Sequence, residues 1–229
     1  MKQISKNAIS NLEQYCDNIH IFKRTMDTTL QIFDEEEAWE EAAKSSFRVA
    51  KICLEIEEIP NSIFNFQQTV EKIAKTLLYS SSLYDQPEKG RHQPHILFEE
   101  LYLIDYVEER DELGYEICIR CKKVSENNPS FYKRLQSFRE IFSSIQEIFE
   151  ECQCSNMSLA NTFYYQYTTM ALCFLFIDTE QNARYPEKDE NGKMVIPTER
   201  YPLGLKKPLQ EIALIIQRVF ICMDSPLHL

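Results

Sequence analysis

The sequence predicts an all-α fold, a single multi-helix bundle of about seven helices over residues 1–229, with a long loop at 182–207 that can hold a short hairpin. Three observations carry this expectation. Apolar residues recur at helical spacing along most of the chain. Glycine occurs only at positions 90, 114, 192 and 204, where average usage of about 7% would give roughly sixteen. Sandwiches and doubly wound sheets need glycine for turns and bulges, so its scarcity favours helices. Finally, prolines and short polar residues fall between the apolar runs, where helices start and stop.

Across residues 5–33, Ala8, Ile9, Leu12, Tyr15, Cys16, Ile19, Phe22, Met26, Leu30 and Phe33 keep the 3.6-residue period, which predicts the first helix. Asp34 before Glu35, Glu36 and Glu37 has the form of an N-cap with acids in the first turn. A second helix then runs through Trp39, Ala43, Phe47, Ala50, Cys53 and Ile56 and is ended by Pro60. Asn61 or Ser62 can cap a third, with Phe66, Val70, Ile73 and Leu77 on its core face. Turn chemistry makes residues 85–94 a loop, after which Phe98, Leu101, Ile104 and Val107 resume helical spacing. Residues 113–124 fit a helix or an alternating strand; helix is preferred, because a lone strand would leave its backbone groups unsatisfied.

Pro129 suits a first helical turn, and Phe131, Leu135, Phe138, Phe142, Ile145 and Phe149 form the cleanest amphipathic stripe in the chain. Ser158 is the expected cap of an apolar helix, residues 158–180, placed near the bundle centre. No charge lies between Glu151 and Asp178, yet Asn156, Asn161, Gln166 and three threonines interrupt the run, and both flanks are acidic. A buried central helix fits better than a membrane span. Pro186, Pro197, Pro202 and the Asn191-Gly192 pair define the excursion at 182–207. Pro208 starts a last helix through Ile212, Ile215, Val219 and Cys222.

Hydrophobic content of 44% and charged content of 27% exclude wholesale disorder. The net charge of −11 is unevenly spread: residues 34–60 and 99–116 together carry −13, leaving the remainder slightly basic. Direct binding to a nucleic acid backbone, which needs clustered Lys and Arg, is not expected. Eight cysteines sit mostly on apolar faces and read as buried thiols. With a polar, amphipathic opening in place of a cationic leader, the expected location is a reducing cytoplasm.

Glu37 and Glu40 with Glu55 and Glu58 resemble the paired acids of all-α nucleoside triphosphate pyrophosphohydrolases, which hold magnesium from neighbouring helices. On one continuous helix the two pairs would lie about 27 Å apart, too far to share an ion. Asp17 and His20 make a single imperfect half of a di-metal motif. Cys118, Cys121, Cys152 and Cys154 lack the glycine-assisted turns that structural zinc sites use. Small helical ribonucleases of prokaryotic conflict systems place Arg and His on one helical face with four to six residues between them. Arg91, His92 and His95 are spaced too closely for that. No catalytic residue, cofactor or metal ligand is assigned.

What remains is a non-enzymatic protein-binding or regulatory helical protein of adaptor, inhibitor or immunity type, acting through its acidic surfaces on a basic protein partner. The expected partner-binding residues are Glu99, Glu100, Glu108 and Glu109, with Tyr201, Leu203 and Leu205 as an apolar docking element. The alternative is a metal-dependent nucleotide pyrophosphohydrolase or other hydrolase built on Glu37, Glu40, Glu55 and Glu58.

Overall fold

A computed structural model describes residues 29–80, 93–104, 111–128, 130–154, 156–189 and 191–223. Most of the first predicted helix, residues 85–92 of the predicted loop and the C-terminal tail from Ser225 fall outside them. The fold is all-α. Among the described residues six helices of 16 residues or more make the body: α1 (Thr29–Glu55), α2 (Ile59–Ser80), α4 (Glu112–Asn127), α5 (Phe131–Gln153), α6 (Met157–Leu175) and α9 (Lys206–Met223). Short α3 (His95–Glu99) runs into a π-helical turn, Glu100–Ile104, and α7 (Thr179–Arg184) and α8 (Pro197–Arg200) are one-turn pieces.

α1 and α2 form a helical hairpin. The sequence places a cap at Asp34, but the backbone stays helical through it from Thr29. The sequence also places the end of this helix at Pro60, but the turn comes earlier. Glu57 takes φ 68°, Glu58 N–H donates to Cys53 O at 2.8 Å, and Glu57 N–H donates to Leu54 O at 3.4 Å. This left-handed cap satisfies the last carbonyls of α1 without a glycine. Pro60 then sits in the first turn of α2, where a missing N–H costs nothing. Ser62 does not cap; it is buried, and its Oγ donates to Ala50 O at 2.9 Å, tying the two helices together.

Residues 113–124 lie within α4. α6 is the centre of the bundle and packs against α2, α3, α4, α5 and α9, with fourteen residues buried. Its cap is Asn156, not Ser158: Asn156 Oδ1 accepts Leu159 N–H at 3.1 Å. Burial of α6 explains its uncharged sequence, and no described helix is long and apolar enough to cross a membrane.

The excursion after α6 is more ordered than a loop. Glu187–Lys188 pairs antiparallel with Met194–Val195, and Gly192 takes φ 77° in the connecting turn, a backbone conformation other residues adopt at a cost. Asp189 Oδ1 accepts from the N–H groups of Asn191 and Lys193, closing that turn.

Candidate functional site

α5 starts where Ser130 Oγ accepts Lys133 N–H. Phe131, Leu135, Phe138, Ile145 and Phe149 turn inward and are buried. The outward edge carries Glu140, Glu147 and Glu151, all exposed, at intervals of seven and four residues. That spacing stacks the three carboxylates in one strip about 16 Å long. On one side the strip adjoins α4, where Arg120 Nη1 donates to Ser144 Oγ at 3.4 Å and Glu116 is exposed one turn away.

On its other side lies a cleft of about 420 Å³ between α5 and α9. Leu135, Phe138, Phe142 and Ile215 line it, with the two phenylalanine rings stacked at 5.7 Å between centroids. Arg139 and Glu211 pair across it at 2.6 Å, and Leu214 stands at its edge, 68% exposed. Ionised carboxylates only accept hydrogen bonds, so a cationic group can sit on the strip while an apolar side chain enters the cleft.

The residues singled out from sequence are not gathered together. Glu99 is half-buried and accepts from Lys122 Nζ at 2.7 Å, so its charge is already paired. Glu100 is half-buried at the start of the π-helical turn, and Glu108 and Glu109 lie outside the described residues. Tyr201 is buried with its ring edge on Phe131, 5.9 Å between centroids, and burial pushes its phenol up to about 12. Leu205 is buried too. These two anchor the excursion to the core, whereas Leu203 faces solvent.

Among the described residues no three metal-binding side chains converge. α1 is unbroken through Glu55, so Glu40 and Glu55 are separated by about 22 Å along the helix. Glu40 is instead held by Lys44, and Glu58 accepts from Asn61 at 3.4 Å. The seven described cysteines are free thiols. Burial pushes Cys118 up to about 12 and raises Cys121 further. His95 packs its ring 5.7 Å from Phe174, and burial holds its pKa below the ordinary value. Asp17, His20, Arg91 and His92 lie outside the described residues.

The most elaborate buried polar group is structural. Asp111 caps α4 by accepting Gly114 N–H at 2.8 Å, and takes further hydrogen bonds from Tyr167 and Tyr102. Gln166 donates in turn to Tyr102 Oη.

The HEPN domain model matches residues 36–153, just over half of the chain, from the first half of α1 to the end of α5. The chain belongs to the HEPN domain family. No curated protein and no solved structure matches it. Within this HEPN domain the acidic strip of α5 falls inside the matched stretch, whereas α6 and α9, which form the central helix and the far wall of the cleft, lie beyond it. The net charge of the α5 segment conceals the strip. Residues 131–153 carry Lys133, Arg134 and Arg139 beside four glutamates, which looks nearly neutral. Arg134 is buried and Arg139 is paired, so the surface is far more acidic than the segment. The detectable signal was glutamate recurring in antiphase to the phenylalanine stripe.

Proposed function

We propose that this HEPN-domain protein is a non-enzymatic binding or regulatory protein whose partner is a basic protein segment. The segment lies along Glu140, Glu147 and Glu151 and inserts an apolar side chain into the α5–α9 cleft. The single observation that carries this is the adjacency of an exposed carboxylate strip to an aromatic-lined cleft on one helix. Carboxylates would steer and select a cationic partner, while the apolar pocket would supply most of the affinity. HEPN domains are often ribonucleases or nucleotide-related adaptors. In this sequence no arginine precedes a histidine by the four to six intervening residues that small helical ribonucleases use, which favours binding over RNA cleavage.

The test is capture of partners from native lysate at low and high salt, with the wild type and with a Glu140→Gln, Glu147→Gln, Glu151→Gln triple variant. Basic proteins retained by the wild type at low salt should be lost from the variant and at high salt. Identical, salt-insensitive profiles for the two proteins would sink the proposal.

A further inference from the structure

α9 is flanked by α1 on one side and by α5 on the other. Lys206 Nζ pairs with Glu57 at 2.7 Å towards one end, and the Phe47 and Phe220 rings meet at 5.5 Å towards the other, so α1 and α9 run antiparallel. Arg139 pairs with Glu211, and further along the Arg218 guanidinium sits 4.5 Å from the Phe149 ring centroid, so α5 and α9 run side by side in the same direction. Buried Leu209, Ile212, Ile216 and Val219 define the inner face of α9. Leu214 and Ile221, two turns apart, fall on its outer crest, where they are 68% and 60% exposed.

A cleft borders this crest on each side. Besides the α5–α9 cleft, one of about 480 Å³ lies between α1 and α9, with Leu54, Ala213 and Leu214 on its walls. Leu214 lines both clefts. The charge around them is one-sided. On the α5 side, exposed Glu150 joins Glu140, Glu147 and Glu151. On the α1 side, Lys51 and Lys206 are balanced by Glu55 and Glu57.

The acidic strip follows the axis of α5, so a cationic segment paired with it runs lengthwise along α9 as well. An extended segment in that direction turns one line of side chains to the surface, spaced about 7 Å apart. A helix turns down a band of positions i, i+3, i+4 and i+7, which diverge to both sides of its axis. Such a band reaches both clefts beside Leu214 and the carboxylates beyond one of them; a single line does not. We infer that the basic partner segment is an amphipathic α-helix lying lengthwise on α9. Its apolar side chains enter the clefts on both sides of Leu214, and Lys or Arg along one edge, on long flexible stems, meets the carboxylates of α5. The charge balance on the α1 side decides which edge of the helix faces α5. This inference rests on the α5 strip as the partner site, and adds the conformation of the partner and a second cleft.

The probes are two synthetic fluorescent peptides of identical leucine and lysine content, titrated with the full chain and followed by fluorescence anisotropy. One carries leucine at helical spacing with lysine along one edge; the other alternates leucine and lysine as a strand does. The helical peptide should bind about tenfold more tightly than the alternating one. Ala213→Phe fills the α1–α9 cleft and leaves the α5 strip intact, and should weaken the helical peptide about tenfold. The Glu140→Gln, Glu147→Gln, Glu151→Gln variant should weaken it too. Equal affinity of the two peptides, no binding by either, or a helical peptide indifferent to Ala213→Phe overturns the inference; if the triple variant still weakens binding, the α5 partner site survives without it. Binding unchanged in the triple variant removes the partner site and the inference together. Should Ala213→Phe lose the wild-type circular dichroism spectrum, the comparison of the two peptides on the wild type decides alone.

Discussion

Tyr167 donates its phenolic hydrogen to Asp111 Oδ2 at 2.6 Å, joining the middle of the central helix to the cap of α4 inside the core. Burial raises the Asp111 pKa above 3.8, and the hydrogen bonds from Tyr167, Gly114 and Tyr102 oppose that rise without cancelling it. A raised folded value means that the stabilising contribution is fully present below the ordinary aspartate pKa and is lost as pH rises through the folded one. Asp111→Asn is neutral throughout. The stability of the wild type relative to this variant should therefore be greatest near pH 4 and fall towards pH 7, as read by urea unfolding at both. A difference independent of pH would refute the linkage. Tyr167→Phe should cost about 1–3 kcal/mol, because it leaves a buried acceptor short of a donor.

Gly114 lies in the first turn of α4, directly against Asp111 and Tyr102. Helix propensity alone would make Gly114→Ala stabilising by about 1 kcal/mol. A Cβ there would overlap the Asp111 carboxylate and the Tyr102 ring, and overpacking costs about 1–3 kcal/mol while also disturbing the cap. Net destabilisation is expected, so the sign of the change in melting temperature decides which effect wins.

Arg134 is buried, with Nε donating to Leu175 O at 3.1 Å and Nη2 to Ile177 O at 2.7 Å. It thus holds carbonyls at the C-terminal end of α6, and Nη1 reaches Asn128 O at 3.4 Å. Arg134→Met keeps the apolar stem but strands these acceptors, so a loss of about 2–4 kcal/mol is expected in denaturant unfolding. Arg134→Lys should recover only part of it, since one ammonium cannot reproduce the planar fork.

Glu71 and Lys75 form a buried ion pair at 2.7 Å, one turn apart on α2, with the Lys75 ammonium also 4.7 Å from the Trp39 ring centroid. Lys75→Met alone removes the ammonium 2.7 Å from this buried carboxylate and should cost about 3–5 kcal/mol. Replacing both residues by Met should be far milder, within about 1–2 kcal/mol of wild type. Additive losses in a double-mutant cycle would contradict this account of the pair.

Helix identity was legible because periodicity is local. The phenylalanine stripe of α5 and the apolar run of α6 needed no partner to declare themselves, and Asn191-Gly192 marked its hairpin through the residue type that adopts positive φ without steric cost. Cap positions were less legible. Asp34, Ser62 and Ser158 are all competent cap residues by type. The chain passes helically through the first, spends the second on Ala50, and uses Asn156 in place of the third.

Surface availability is where local sequence stops being informative. Glu99 and Tyr201 look like partner-binding residues along the chain, but Lys122 and Phe131, 23 and 70 residues away, have claimed them. The strip of Glu140, Glu147 and Glu151 emerges only when Arg134 is known to be inside and Arg139 to be paired with Glu211. The sequence by itself determined that this is a helical protein with localised acidity, because periodicity and charge are properties of neighbours. Tertiary structure decided which acids remain free and which apolar faces remain uncovered, because both depend on side chains that meet only once the helices have packed.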